Sequence, residues 1–282
     1  MTKTGQKMPG SKNNHPVRIN PRDLRDNRGT TLFMDILVAL SGKQKSWLAL
    51  DQALRLAEME NSDVRGLVVV PEGENETAEW DEMERHFSER VQQAGINGNL
   101  VHTVGSIAET IIQRSRVNDL VVIRLSHPPV AKIFPRLGSG IRTIVRWCPK
   151  PILMVRNQIT TFDKMLLAYD GSEKGKEALY IATYLAAKYG KCVSVLVVND
   201  NKDKGQALLK EAKDYLGEMC KHVTLRRNLG MISEVILKAA KDENADCIVM
   251  GGYGLSPLLE ALFGSTVDGV LRKTVVPVLV CQ

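Results

Sequence analysis

The sequence predicts an α/β protein made of two repeated, doubly wound (Rossmann-like) sandwich domains, each with a five-stranded parallel sheet. The first observation is an internal repeat, because five sequence blocks recur in the same order at an offset of 125–129 residues. The second is that the predicted strands are short runs of Val, Ile and Leu, apolar on both faces. The third is that amphipathic helical patterns alternate with these strands, which is typical of a parallel sheet covered by helices.

Each repeat reads as five strands that alternate with four helices. The first block is an apolar strand, a polar turn and an amphipathic helix. The second and fourth blocks are strands, the third is a helix after a glycine, and the fifth is a glycine-led helix followed by the last strand. Right-handed crossovers between parallel strands limit the topology further. The matched blocks begin at Asp35 and Lys164, Val64 and Cys192, Gly105 and Gly230, Asn118 and Ala245, and Leu137 and Phe263.

The repeat divides the chain into a tail and two domains. Residues 1–30 are predicted to be a disordered basic tail, residues 31–157 a first domain and residues 161–282 a second. The last strand of each domain follows a proline, Pro151 or Pro277, and proline at the start of a strand is typical of a sheet edge. Pairing of these edges would make the chain an intramolecular pseudo-dimer. A further homodimer and an unidentified protein partner stay open.

Charge and composition exclude several classes of protein. The net charge is +6, but the tail holds seven Lys and Arg against two Asp, so the body is nearly neutral and gives no reason to expect nucleic-acid binding. No apolar run approaches the roughly 18 residues of a membrane span. The five cysteines lie far apart and form no CxxC pair. We therefore expect a cytoplasmic protein without structural zinc.

The segment from Cys247 to Thr266 carries the strongest functional signal. An apolar strand ends in Gly251, Gly254 follows, and nine residues later comes Gly264-Ser265 at the start of a helical pattern. Glycines at a strand exit let backbone approach a ligand closely. A helix start offers free N–H groups and the positive end of a dipole, which suits phosphate. We call Gly251–Gly254 the glycine loop.

These residues resemble the universal stress protein family in its tandem two-domain form. Nucleotide-binding members carry G-x2-G-x9-G-[S/T], and the spacing from Gly251 through Gly254 to Gly264-Ser265 fits it. The family also has an Asp at the end of its first strand, matched by Asp170, and a Val near the end of its second, matched by Val198. The resemblance covers about 250 residues, all but the tail.

The resemblance implies one ATP, with Mg2+, bound by the second domain in a stress-response role. In open α/β sheets ligands bind outside the carboxyl ends of the strands, where these residues are expected to lie. No P-loop lysine is present, so charge neutralisation is assigned to N–H groups, the helix dipole and Mg2+. The expected adenine-nucleotide contacts are Asp170, Val198, Met250, Gly251, Gly254, Gly264, Ser265 and Thr266.

The first domain carries a damaged copy of the motif. Ser41 stands in place of Asp170, Arg124 in place of Gly251 and His127 in place of Gly254. Two prolines follow His127, and they stiffen the loop and remove N–H donors. A side chain at Arg124 fills space that the ligand's sugar needs. We expect a scaffold domain without ATP; an isolated anion at the remaining Gly138-Ser139-Gly140 helix start is the alternative.

Several site residues also have purely structural readings. Asp170, followed by Gly171 and Ser172, has the pattern of a turn and helix cap. Ser265 has the pattern of an N-cap, and Val198 that of a core strand residue. Tyr253 is expected to be an exposed loop residue.

Three classes of function stay open at this level. The first is a nucleotide-binding regulator. The second is an enzyme, but the second domain lacks an SGGxDS-type loop and a His in its candidate loops, so general acid–base catalysis is poorly supplied. Slow ATP hydrolysis or autophosphorylation on Ser172 or Ser265 is the most that we expect. The third is an interaction scaffold that binds no nucleotide.

Overall fold

The computed structural model describes residues 31–41, 44–71, 80–126, 140–220, 222–254 and 265–282. Four sequence predictions fall outside these ranges: the basic tail at residues 1–30, His127 with its two prolines, the Gly138-Ser139 pair, and Gly264 of the glycine motif.

Ten strands form one continuous sheet in the order β3-β2-β1-β4-β5-β10-β9-β6-β7-β8. The order of the first five strands is repeated in reverse by their counterparts in the second repeat, from β10 to β8. The two repeats are therefore related by a local twofold axis between β5 and β10. Pairing is parallel throughout except between β5 and β10. The strands are β1 (Asp35–Leu40), β2 (Asp63–Val70), β3 (Gly98–Val104), β4 (Leu120–Arg124), β5 (Ile152–Val155), β6 (Lys164–Ala168), β7 (Cys192–Val198), β8 (Val223–Asn228), β9 (Cys247–Gly251) and β10 (Val278–Cys281).

The described helices cover both faces of the sheet, as the α/β prediction requires. One apolar core lies beneath α1, α2, α5 and α6, and a second lies beneath α3, α4, α7 and α8; each core runs through both repeats. The helices are α1 (Trp47–Glu60), α2 (Trp80–Gln93), α3 (Ile107–Ser115), α4 (Gly140–Trp147), α5 (Glu173–Tyr189), α6 (Lys202–Leu216), α7 (Ile232–Asp242) and α8 (Thr266–Lys273), with 3-10 turns at Gln44–Ser46 and Gly217–Met219.

The junction of the two repeats is the antiparallel pair β5–β10. Leu153 lies opposite Leu279, and both side chains are buried. Pro151 and Pro277 immediately precede these strands, where a missing N–H interrupts no ladder bond. Each strand is therefore the edge of its own five-stranded unit and lies at the centre of the complete sheet.

A buried carboxylate links the repeats on the α1/α5 face. Glu60, 1% exposed, accepts hydrogen bonds from Tyr184 Oη at 2.8 Å and from the Leu32 N–H at 2.9 Å, and a third from Tyr189. Lys188 Nζ lies 3.7 Å from the same carboxylate. A buried charge is stable only when its lone pairs are satisfied in this way, so Glu60 fixes how the repeats meet.

Within the described part of the chain, no helix combines the length and the apolar character that a membrane crossing requires.

Candidate functional site

Strand register brings the predicted site residues of the second repeat to one edge of the sheet. Ala168 of β6 lies opposite Leu196 of β7 on one side and Met250 of β9 on the other. Two residues further along, Asp170 and Val198 therefore lie level with the glycine loop. The chain leaves β6 towards β7 and β8 on one side and returns through β9 on the other. This reversal of strand order is where open α/β sheets form their ligand crevices.

Asp170 is exposed and organises the turn that follows β6. Its Oδ1 accepts hydrogen bonds from the Ser172 N–H at 3.0 Å and from Ser172 Oγ at 2.7 Å. Ser172 in turn caps α5, because its Oγ accepts the Gly175 N–H at 3.0 Å. The turn-and-cap reading of Asp170 is thus present in the structure. Among the described residues, the hydrogen bonds to the Asp170 carboxylate all use Oδ1.

Two glycines shape this turn. Gly171 has φ +77°, in the left-handed region, and a Cβ there would overlap Leu208 of α6. Gly175 leaves room for the Asp170 carboxylate, because a Cβ at position 175 would overlap Asp170 Oδ1. Sequence reasoning missed Gly175. The signal was available in the repeat alignment, where Ser46 takes its place in the first repeat.

The glycine loop packs tightly against its neighbours. A Cβ on Gly251 would lie 3.0 Å from the Gly175 nitrogen, and one on Gly252 would lie 2.9 Å from the Cys281 carbonyl oxygen. The Gly252 N–H donates to that same oxygen at 2.7 Å. None of the loop glycines has φ in the left-handed region. The first two are therefore needed for close packing on α5 and β10, and not for an unusual backbone conformation.

Gly254 differs from the other loop glycines. Among the described residues, a Cβ at this position would meet nothing within 4 Å, and the residue is exposed. No described side chain therefore crowds the loop at Gly254. Its backbone conformation does not itself require glycine, because its φ lies outside the left-handed region.

Tyr253 is buried, 5% exposed, so the expectation of an exposed loop tyrosine was wrong. Its Oη donates to Asp268 Oδ1 at 2.6 Å, and its ring lies under the Arg146 guanidinium, with 4.8 Å between Cζ and the ring centroid. Burial, followed by the nearby Asp268 carboxylate, raises the pKa of Tyr253 well above its usual range. The prediction failed because Arg146, which covers the ring, belongs to the other repeat, and the local sequence does not show that contact.

Helix α8 begins beside the glycine loop. Ser265 is its N-cap, and Ser265 Oγ accepts the Asp268 N–H at 3.4 Å. Ser265 and the first helical residue, Thr266, are both half-buried. The N-cap reading of Ser265 is therefore present, and the positive end of the α8 dipole lies at this edge of the sheet.

Lys174 is a cation that sequence reasoning overlooked. It lies in the first turn of α5, and its Nζ is 3.5 Å from the Cβ position of Gly252. The same Nζ lies 3.4 Å from Gln282 Oε1, to which it donates. Lys174 therefore adds a positive charge at this edge of the sheet, close to the glycine loop. The sequence around Lys174 matches no phosphate-loop lysine pattern and so gives no local signal for this cation.

The equivalent edge of the first repeat carries different residues. Arg124 ends β4 where Gly251 ends β9, and it is half-buried with its Nη1 3.5 Å from Ser126 Oγ. Ser41 and Ser46 stand where the second repeat has Asp170 and Gly175. The first repeat therefore lacks both the carboxylate and the two closely packed glycines that the second repeat has at this edge.

Among the described residues, no group of three His, Cys, Asp or Glu side chains is arranged to hold a metal ion.

Comparison with known proteins agrees with this architecture. The sequence family described as the universal stress protein family matches residues 33–156 and again residues 161–282. Universal stress protein Slr1230 of Synechocystis sp. is 27% identical over 192 residues, 67% of each chain. Universal stress protein YxiE of Bacillus subtilis is 28% identical over 147 residues, 43% of this chain and 99% of its own.

The fold also resembles solved structures along nearly its whole length. A universal stress protein from Archaeoglobus fulgidus superposes with a TM-score of 0.72 at 20% identity, covering 89% of this chain and 97% of the other. At that identity the likeness concerns the fold, with both repeats included. Together with the double family match, it shows that this chain belongs to the universal stress protein family and carries two copies of its domain.

Proposed function

We propose that this protein binds one ATP per chain, at the carboxyl edge of the sheet in residues 161–282, and that residues 31–157 bind none. The observation that carries the proposal is the contrast between equivalent edges. In the second repeat Asp170 and the glycine loop converge at the reversal of strand order, whereas in the first Arg124 fills the corresponding place.

The geometry suits an adenine nucleotide. Asp170 Oδ2 can accept a hydrogen bond from the adenine amino group or a ribose hydroxyl, and the backbone near Val198 can read the base edge. Met250 is buried beneath the crevice, so the sugar would lie on Gly251. The phosphates would follow Gly254 towards the α8 start at Gly264, Ser265 and Thr266.

The negative charge of the phosphates would be balanced by positive charge on two sides. Lys174 lies beside Gly252, and the N-terminus of α8 faces the same edge. Mg2+ usually keeps several waters and is bound through substrate phosphates. The proposed ion would therefore be coordinated by the nucleotide and needs no complete set of protein ligands.

The proposed role is sensing in a stress response, with slow turnover or none. Ser172 Oγ and Ser265 Oγ both act as helix caps, and the described crevice residues include no histidine to serve as a base. A cytoplasmic location fits the five cysteines, which are all free.

Equilibrium dialysis of nucleotide-stripped protein against Mg-ATP, with Mg-GTP in parallel, tests the proposal. We expect about one ATP per chain and weaker GTP binding, because the specificity is assigned to adenine contacts. Phosphate release should fall far below the enzyme median of about 10 per second. Release near that rate would favour an enzyme, and absence of any nucleotide binding would favour an interaction scaffold.

A further inference from the structure

A buried network crosses from the first repeat into the glycine loop. Arg142, in the first turn of α4, donates from Nε to Asp268 Oδ2 at 2.8 Å and makes a second contact through Nη2. The other oxygen, Asp268 Oδ1, accepts the Tyr253 hydroxyl at 2.6 Å. The three residues are 9%, 6% and 5% exposed respectively. A guanidinium of one repeat and a phenol of the other therefore share one carboxylate.

Tyr253 is the one large side chain of the glycine loop. It lies between Gly252 and Gly254, and no Cβ limits the backbone on either side of it. Arg146 of the first repeat lies over the Tyr253 ring, with 4.8 Å between its Cζ and the ring centroid. Tyr253 therefore anchors the loop to helix α4 of the first repeat in two ways. Its ring contacts Arg146 directly, and its hydroxyl is linked to Arg142 through Asp268.

The network has no counterpart on the opposite side of the local twofold axis. Arg142 and Asp268 are equivalent positions, and the position equivalent to Tyr253 is Ser126, which is exposed. A mirrored network would need an aromatic ring at position 126 and a carboxylate at position 142. The anchor is therefore built only for the repeat that keeps the glycine motif.

We infer that Arg142 of the first repeat is a positioning residue for the nucleotide site of the second, acting through Asp268 on Tyr253. The inference rests on the proposed function. Arg142 holds the carboxylate in the orientation that accepts the Tyr253 hydroxyl, which fixes the N–H groups of the loop. It also neutralises a carboxylate in the first turn of α8, beside Ser265, where an unpaired negative charge would repel phosphate.

Tyr253→Phe tests the anchor, with Tyr184→Phe as a matched control. Each variant keeps its ring and removes one hydroxyl bonded to a buried carboxylate, at 2.6 Å to Asp268 or at 2.8 Å to Glu60 on the opposite face. We expect Tyr253→Phe to bind Mg-ATP about tenfold more weakly than wild type, the loss of one hydrogen bond to a charged group. Tyr184→Phe should bind as wild type.

A second variant addresses Arg142 itself. In Arg142→Met/Asp268→Leu, apolar side chains replace the buried pair, which keeps the fold but leaves Tyr253 without its acceptor. We expect the same weakening of Mg-ATP binding. In nucleotide-free protein, we also expect faster hydrogen exchange at the amides of residues 251–254, with exchange in β7 unchanged. A merely structural pair would leave both the loop exchange and the affinity as in wild type.

The outcomes separate the two proposals. If wild type binds Mg-ATP but Tyr253→Phe and the double variant bind equally well, the positioning role of Arg142 is overturned while the nucleotide site stands. Equal weakening by Tyr184→Phe also overturns it, because the effect would then be a general loss of stability. If wild type binds no Mg-ATP, both proposals fall.

Discussion

Arg142 and Asp268 occupy equivalent positions in the two repeats, yet they carry opposite charges and form a buried ion pair with each other. In a symmetric dimer of identical domains, a residue at this place on the twofold axis would face its own copy. Two buried arginines or two buried carboxylates would repel there. Joining both copies in one chain allows the positions to differ, and this chain uses the difference to make an attractive contact.

The pair leads to a prediction about stability. Arg142→Ala should lower the free energy of unfolding by about 3–5 kcal/mol, because it leaves a buried carboxylate uncompensated. Arg142→Met/Asp268→Leu should recover part of that loss, since a well-packed apolar pair avoids the cost of desolvating two charges, whereas the buried Tyr253 hydroxyl loses its acceptor. Urea unfolding of the three proteins measures both effects. A double variant as unstable as the single one would show that the charges themselves hold the junction.

Gly254 offers a substitution aimed at the ligand alone. Gly254→Val should change the free energy of unfolding by no more than about 0.5 kcal/mol, because the new side chain would meet none of the described residues and the backbone keeps an ordinary φ. It should weaken Mg-ATP binding by at least about tenfold, since a branched side chain would stand where the phosphates are proposed to pass.

Gly140→Ala provides the control for that experiment. Gly140 is also exposed, with none of the described residues within 4 Å of its Cβ position, but it lies in the first repeat. Calorimetric titration should give wild-type affinity for this variant. Loss of affinity in Gly140→Ala, or retention in Gly254→Val, would contradict the assignment of the site to the second repeat.

Gly251 should behave differently from Gly254. A methyl group at Gly251 would press on the backbone of α5 at 3.0 Å, so Gly251→Ala should cost about 1–3 kcal/mol of stability as well as affinity. Thermal unfolding without nucleotide checks the first effect, and titration with Mg-ATP the second. A variant with unchanged thermal stability would mean that α5 can move away from the loop freely.

The buried carboxyl of Glu177 should make the free energy of unfolding depend on pH. Burial raises the pKa of this α5 carboxyl above its usual range, against the hydrogen bond that it accepts from the Gln282 N–H at 2.6 Å and the attraction of Lys174 and Lys150. The folded state therefore holds this proton more tightly than the unfolded state does. The group opposes folding increasingly as the pH rises from about 4.3 through the folded pKa.

Glu177→Gln isolates this effect because the amide oxygen can still accept the Gln282 N–H. The variant should be more stable than wild type at pH 7, and the difference should vanish at a pH below the unfolded pKa of about 4.3. Denaturant unfolding at several pH values measures it. A stability difference that is constant across the range, or one of opposite sign, would contradict the raised pKa.

The fold could be predicted from sequence because its signals are local. Alternation of apolar runs with amphipathic segments, repeated at a nearly constant offset, specifies the parallel units and their order. The prolines before β5 and β10 mark the edges of those units. How far one sheet continues into the other depends on packing such as Leu153 against Leu279, which only the structure shows.

The site was predicted in part, for a related reason. Asp170, Val198 and the glycine loop follow strand ends, so topology alone brings them to one edge. The burial of Tyr253 depends on Arg142 and Arg146, more than 100 residues earlier in the chain and in the other repeat. The close packing of Gly251 on helix α5 could not be predicted, because α5 lies about 75 residues earlier in the chain, and its proposed ligand contact stays a prediction.

Photoaffinity labelling with 8-azido-ATP tests most directly the claim that one repeat binds and the other does not. The stripped full-length protein would be labelled with and without excess ATP, digested, and the modified peptides identified by mass spectrometry. We predict ATP-protected label only on peptides from residues 161–282, near Asp170 or Val198. Protected label on peptides from residues 31–157 would contradict the account.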